Sequence, residues 1–547
     1  MSLQFITGGS GAGKSEYLSR LVCEESVRRP HDNFIVVVPE QYTMETQKKL
    51  VHMHSRKGIL NIDVVSFERL AYKVFEELGG GNRPVLDDTG KNLIVRRVLE
   101  KEKKKLDYFG SSIEKTGFVS ELKSVISELL QYGITPQQLG EIGENVKEKQ
   151  QLSAKLKDIR LVYKEFMAFL STNYITSEEI LDVLCGLVEK SKLIAGSEII
   201  FDGFTGFTPI QYKLMRLLLV YSKGIKISVT IDKKERPTGH EGWNNLFFMS
   251  KEMMNRLIAI CEEEGINVDD TVCVDRDINY RYEGAKDLAY LERNLFRYKG
   301  GVYTGTPENI RIYEGSNPKE ELQYIVSEIL QLTRKESFRY RDIAVVTADL
   351  ETYGKVAANM MKQNDIPAFL DYKRSVASNP YVEMLCSALE IVEKGYPYDT
   401  MFRYLRTGLT GISRHDIDML ENYCLAVGIR GSRAWHEPWK KKMKRSTYQP
   451  ELETLNALRE QIMAPFLNLE AVLKDKEANV RAYVTAVYEF VTALHSAEQI
   501  KALSECEPAG NEYEQLYAKV LELFDRIVEL LGEEKVSLKE FNRIVAA

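Results

Sequence analysis

Residues 1–21 read MSLQFITGGSGAGKSEYLSRL, and within them Gly8-Gly9-Ser10-Gly11-Ala12-Gly13-Lys14-Ser15 has the spacing G-x-x-x-x-G-K-[ST]. The spacing has a physical reason. Glycines let successive backbone N–H groups turn inward around phosphate oxygens, and a helix starting just afterwards adds its positive end. Lys14 brings a compact charge to terminal phosphates, and the Ser15 hydroxyl completes a magnesium shell. The surroundings agree: Leu3-Gln4-Phe5-Ile6 reads as a strand before the loop, and Tyr17, Leu18, Leu21 and Val22 recur at helical spacing after it. Gly8, Gly9, Ser10, Gly11, Ala12, Gly13, Lys14 and Ser15 are thus the candidate nucleotide-binding residues, with ATP and Mg2+ as expected ligands.

Outward from the loop, strands alternate with helices. Phe34-Ile35-Val36-Val37-Val38 and Ile62-Asp63-Val64-Val65 read as buried strands. A helix follows on Phe67, Leu70, Ala71, Val74, Phe75 and Leu78, closed by Gly79-Gly80-Gly81. Residues 87–191 turn helical with no convincing strand, and the sheet resumes at residues 198–202 and 225–232. This predicts an α/β fold with a parallel sheet covered by helices on both faces. A second sheet pattern starts at Asn309-Ile310-Arg311-Ile312-Tyr313 and includes Asp342-Ile343-Ala344-Val345-Val346. From about Pro397 the chain is mostly helical and ends about ten residues into a helix opened by the capping box Ser537-Leu538-Lys539-Glu540, with no C-cap, as a helical segment cut short would.

Composition narrows the class. No run approaches the ~18 apolar residues of a membrane helix, and no basic patch precedes an apolar signal core, so a cytoplasmic protein with no membrane partner is expected. Seven cysteines without a C-x-x-C pair argue for reduced thiols rather than zinc or disulfides. A net charge of −6 neither announces nor excludes nucleic acid, because large DNA-handling proteins confine positive charge to channels.

Holding a nucleotide differs from hydrolysing it, which needs an Asp for magnesium and a carboxylate that activates water. Asp202 ends the strand of residues 198–202 and supplies the first; the magnesium reading places it beside Ser15 on adjacent strands. The next residues, Gly203-Phe204-Thr205-Gly206, supply no second carboxylate, so no catalytic residue is assigned. Here the sequence resembles superfamily 1 helicases of the UvrD/RecB type, whose corresponding strand ends D-E-x-Q-D. Asp202 matches the magnesium Asp, Gly203 stands at the catalytic Glu, and Gln211 matches the trailing Gln. Residues 227–232 lack the Gly and Gln of G-D-x-x-Q, Ala348 stands where an arginine would touch nucleotide, and seven residues before Gly8 leave no room for an adenine-reading glutamine motif.

A phosphate cradle in a body with degenerate motifs resembles the AddB (RexB-like) subunit of the bacterial AddAB helicase–nuclease. Supporting stretches are VVPEQYTMETQKKL from Val37, DVVSFERLAYKVF from Asp63, IIFDGFTGFTPIQ from Ile199 and LENYCLAVGIRGSRAWHEPW from Leu420. The resemblance implies two P-loop/RecA-like parallel-sheet domains with large helical insertions. Residues 1–86 and 192–300 would form the first domain, 87–191 an insertion, 301–396 the start of the second domain, and 397–547 a truncated insertion. It further implies a DNA-binding, weakly hydrolysing subunit that pairs with the catalytic AddA subunit, binds the 3′-ended tail of a duplex end and scans it for the recombination hotspot (Chi) sequence. The family's nuclease site and 4Fe-4S cluster would lie beyond Ala547.

For DNA, Lys440-Lys441-Lys442-Met443-Lys444-Arg445 holds five basic residues in six beside Trp435 and Trp439, the makings of a phosphate-tracking patch with a stacking platform. An isolated charge run is more often a solvated loop, and the same holds for Lys101 and Lys103-Lys104-Lys105. Phe67 resembles a position where such helicases contact single-stranded DNA, yet shares helical spacing with Leu70 and Ala71 and fits the core equally well. The pair His52 and His54 faces two directions on a helix and is not taken as a metal site. Two other classes stay open: a stand-alone P-loop enzyme such as a small-molecule kinase, which would need one compact domain, and a scaffold, which would leave Lys14-Ser15 unexplained.

Overall fold

A computed structural model gives the structure and describes residues 1–546 except 80–83, 114, 116, 147–148, 236–241, 298–299, 371–375, 377–378, 444–450 and 507–509. Its contacts divide the chain into two units, Met1–Arg281 with Asn379–Ala547, and Tyr282–Ser378.

The first unit is built on a parallel sheet. Its strands are β1 (Ser2–Gly8), β2 (Asn33–Val37), β3 (Ile62–Val65), β6 (Ser197–Phe201), β7 (Gly224–Thr230), β8 (Asn267–Val268) and β9 (Val272–Cys273). Their order is β3-β2-β6-β7-β1, with β8 and β9 both on the open side of β1. The apolar runs seen in the sequence are what the central strands need, since helices cover both faces of the sheet there. On one face Ile6, Val36 and Ile200 pack with Leu18 and Val22 of α1 (Lys14–Arg28) and Leu50 of α2 (Thr43–Met53). On the other, Phe5, Ile35, Phe201 and Ile227 pack with Leu70 and Val74 of α3 (Phe67–Leu78) and with the helices Pro209–Tyr221 and Phe248–Glu264. Gly79 closes α3 in the left-handed region, φ 75°, as expected of its glycine run; Gly80 and Gly81 lie outside the described residues.

Residues 87–191 are not free of strands. β4 (Val85–Leu86) and β5 (Ile175–Thr176) pair in parallel, each too short to leave a pattern in the sequence. α4 (Asp88–Glu102) and the helices up to Leu170 share one apolar core with residues between Tyr381 and Ile544. Polar links follow the same route: Arg543 to Glu100 at 3.0 Å, Tyr174 to Glu529 at 3.2 Å, and Arg97 to Glu534. The two helical regions, separate in sequence, are thus one helical body.

In the second unit, helices Pro318–Lys335 and Leu350–Gln363 enclose a small core of Leu322, Val326, Ile329, Met360 and Met361. The second parallel sheet expected from residues 309–313 and 342–346 is not formed among the described residues, and Ile312 and Val346 are 95% and 91% exposed. Strand-like sequence becomes strand only when a neighbour completes its ladder. Asp287 organises this unit instead: its carboxylate accepts from the backbone N–H groups of Glu308 (2.9 Å) and Asn309 (2.7 Å) and from Asn309 Nδ2 (2.9 Å).

Candidate nucleotide-binding site

β1 ends at Gly8 and α1 begins at Lys14, so the loop fills the gap at the carboxyl edge of the sheet. Gly11 and Gly13 adopt φ 71° and 94°, where a side chain costs ~1–2 kcal/mol. Gly8 is needed for closeness instead: a Cβ there would lie 3.0 Å from Ala12 Cβ and 3.1 Å from Val274 Cγ2. Gly13 caps α1 without a side chain, leaving the first-turn N–H groups of α1 without a side-chain cap. Lys14 Nζ donates to the carbonyls of Gly8 and Gly9, both at 2.9 Å, and lies across the loop. Open helix amides, an ammonium and glycines with no room for side chains fit a nucleotide's phosphates.

Asp202 stands where β6 ends, but β6 is not next to β1: β7 lies between them. The strands that carry Asp202 and the loop are therefore not the adjacent pair expected, since the strand of residues 224–230, later in sequence than both, inserts between them. Asp202 Oδ1 accepts from Ser228 Oγ of β7 at 2.6 Å, and Ser228 Oγ in turn accepts from Gly203 N–H at 3.3 Å. Gly203 itself has φ 84°, so the position matching a catalytic Glu is a backbone turn that disfavours any side chain. Gln211 does not reach toward a ligand either; its Oε1 accepts from Thr208 N–H at 2.9 Å and caps its own helix.

A segment with no motif of its own closes on the loop. β9 pairs with β1 at Ile6↔Val272 and Thr7↔Cys273, and residues 276–281 then cross the glycines. Asn279, 3% exposed, donates from Nδ2 to Ser10 O at 3.2 Å; Arg281 N–H donates to Gly11 O at 3.3 Å. The Tyr280 ring lies 3.3 Å from where a Gly13 Cβ would be, half-exposed, with the Arg276 guanidinium 3.7 Å above its centroid. Strands of two residues carry no periodicity, so nothing in the sequence marked this strap. Ser228 did leave a signal: a lone hydroxyl in a buried strand needs a partner.

The DNA candidates divide. Trp435 and Trp439 are 1% and 5% exposed and pack against each other, with Tyr423 on Trp439, so they offer no face to a base. Phe67, 8% exposed, is enclosed by Phe201, Phe204 and Phe207. In both cases the apolar area buried in the core outweighs what exposure would offer. Lys440, Lys441 and Lys442 are exposed, while Lys444 and Arg445 lie outside the described residues. Lys105 pairs with Glu102 at 2.6 Å. His54 is buried against Ser26, Nε2 to Oγ 3.1 Å.

A sequence model of the family described as "ADDB, N-terminal" matches residues 5–292. Bacterial proteins named as a subunit of an ATP-dependent helicase/deoxyribonuclease are similar along the whole chain. That of Lachnoclostridium phytofermentans is 42% identical over 557 residues, covering 100% of this chain and 48% of its own length. Those of Clostridium novyi and Symbiobacterium thermophilum are 33% and 35% identical, with 48% and 49% of their lengths covered. The chain spans about half the length of these relatives.

Proposed function

The chain belongs to the AddB N-terminal family, and on that premise we propose that it is the nucleotide-holding, helicase-like part of a subunit that processes DNA ends together with a catalytic helicase–nuclease partner, AddA. ATP is held by residues 8–15, with Lys14 on its terminal phosphates; Ser15 and Asp202 hold its magnesium. When bound, the magnesium ion screens phosphate charge and fixes the phosphates' orientation. Tyr280, backed by Arg276, supplies a ring against which the base rests.

The observation that carries this reading is the loop itself: left-handed glycines, a close-packed Gly8 and a lysine laid across them, at the carboxyl edge of a parallel sheet. Hydrolysis is slow in this reading, because Gly203 offers no base for water. The finer assignments rest on the family: binding of the 3′-ended strand and hotspot recognition. Lys440, Lys441 and Lys442 are the DNA-phosphate contacts of this reading; Trp435 and Trp439 support that stretch from the core, and Phe67 serves the core of the sheet.

Calorimetry with ATP and Mg2+ tests the proposal. Binding in the micromolar range by the 547-residue protein, lost in Lys14→Ala, is expected. Equal affinity in both proteins overturns the cradle reading. Pull-down with the catalytic partner, and ATP turnover with single-stranded DNA far below that of an active helicase, test the rest.

A further inference from the structure

Ser228 lies in the middle of the sheet, 4% exposed, in register with Ile6 of β1. Ile6 belongs to the apolar layer beneath α1, with Val36 and Ile200. A hydroxyl buried at such a position is costly unless bonded. Here its bonding is complete and directional. The Gly203 N–H donates to Oγ at 3.3 Å, so the single hydroxyl hydrogen is committed to Asp202 Oδ1 at 2.6 Å, within the range of a hydroxyl on a carboxylate.

We propose that Ser228 is the positioning residue that aims the Asp202 carboxylate at the magnesium ion of a bound nucleotide. The inference rests on the nucleotide reading and adds a role to a residue outside the loop. Because β7 lies between β1 and β6, Asp202 starts two strand spacings, about 10 Å, from the strand that carries the loop. Its carboxylate must act across β7, and Ser228 is the β7 residue that holds it there. The hydroxyl occupies only Oδ1; among the described residues nothing hydrogen-bonds Oδ2, which stays available to the ion or its bound water. Gly203 completes the device. Its left-handed turn returns the N–H to Ser228, so the residue that replaces a catalytic carboxylate helps to fix the magnesium ligand instead. An outer partner of this kind is worth about tenfold or more in metal affinity.

The test compares ATP affinity with Mg2+ and with EDTA, using the whole 547-residue protein. Ser228→Ala is expected to weaken binding about tenfold with Mg2+ and to leave metal-free binding unchanged. Ser228→Thr, which keeps the hydroxyl, is expected to retain the wild-type difference. Asp202→Asn is expected to show the same Mg2+-selective loss, with no further loss when combined with Ser228→Ala. Should Ser228→Ala fail to fold, Ser228→Cys, a weak donor of similar size, takes its place. Equal weakening with and without Mg2+, or additive losses in the double variant, would mean that Ser228 only joins the strands and would overturn the inference. A wild-type protein that binds no ATP in either buffer would instead sink the nucleotide reading beneath it.

Discussion

At Lys14 and Gly203 the loop's retained and missing chemistry can be separated. Lys14 replaced by Ala removes a charge-assisted contact worth ~1.5–3 kcal/mol, so ATP affinity should fall by at least about tenfold in calorimetry. Gly203→Ala should cost ~1–2 kcal/mol of stability, because φ 84° strains any L side chain; a shift of the urea midpoint measures it. Space does not cause that cost, since the nearest atom to the added Cβ is Pro39 Cδ at 3.5 Å. Gly203→Glu is therefore expected to be strained and not to restore ATP turnover. Lys14 and its glycines were legible in the sequence, because the motif encodes contacts among neighbours in the chain. The conformation of Gly203 was not, because glycine serves many turns and the fold selects one.

At the scale of elements, the basic stretch and the tryptophans beside it have different physics. Lys440→Ala, Lys441→Ala and Lys442→Ala together should lower the salt slope of single-strand binding by up to about 2 and leave the melting temperature unchanged. Trp435→Ala should do the reverse and cost ~3–5 kcal/mol of stability, read by thermal melting. The Asp287 clamp gives a pH signature. Hydrogen bonds from Asn309, backbone and side chain, with those of Leu288 and Glu308, hold its carboxyl down to about 2. A carboxyl lowered on folding stabilises fully above its unfolded value of ~3.9 and progressively less as pH falls below that. Proteolysis between residues 288 and 309 should accelerate as pH drops from about 4 toward 2, and Asp287→Ala should cleave fast at neutral pH too. The sequence showed helix periods and buried strands, yet not whether tryptophans beside lysines point in or out. Composition gives the same aromatic-basic cluster either way, and only packing decides.

Across the whole molecule, the helical body ties residues 86–170 to residues 381–544 through a single core. Neither half can bury its apolar face alone. A fragment of residues 1–378 should therefore expose the inner face of α4 and its neighbours. It is expected to aggregate, or to be cut rapidly between residues 88 and 170, and to be rescued by co-expression with residues 379–547; a soluble, resistant fragment would contradict a shared core. A buried pair in the same body, Lys91 with Glu178 at 2.8 Å, adds a sharper test. Burial raises the Glu178 carboxyl and the Lys91 ammonium more than offsets it, so Lys91→Ala should destabilise by ~3 kcal/mol.

The order of residues by itself determined the glycine loop with Lys14, the parallel α/β class and a Gly at position 203, since each depends on neighbours in the chain or on strongly periodic segments. Tertiary structure alone decided that β7 would stand between Asp202 and the loop, that residues 276–281 would strap the glycines, and that two distant helical regions would share a core. Those outcomes depend on pairings between segments up to hundreds of residues apart, and such pairings are set by how apolar faces and ladder hydrogen bonds find partners in space.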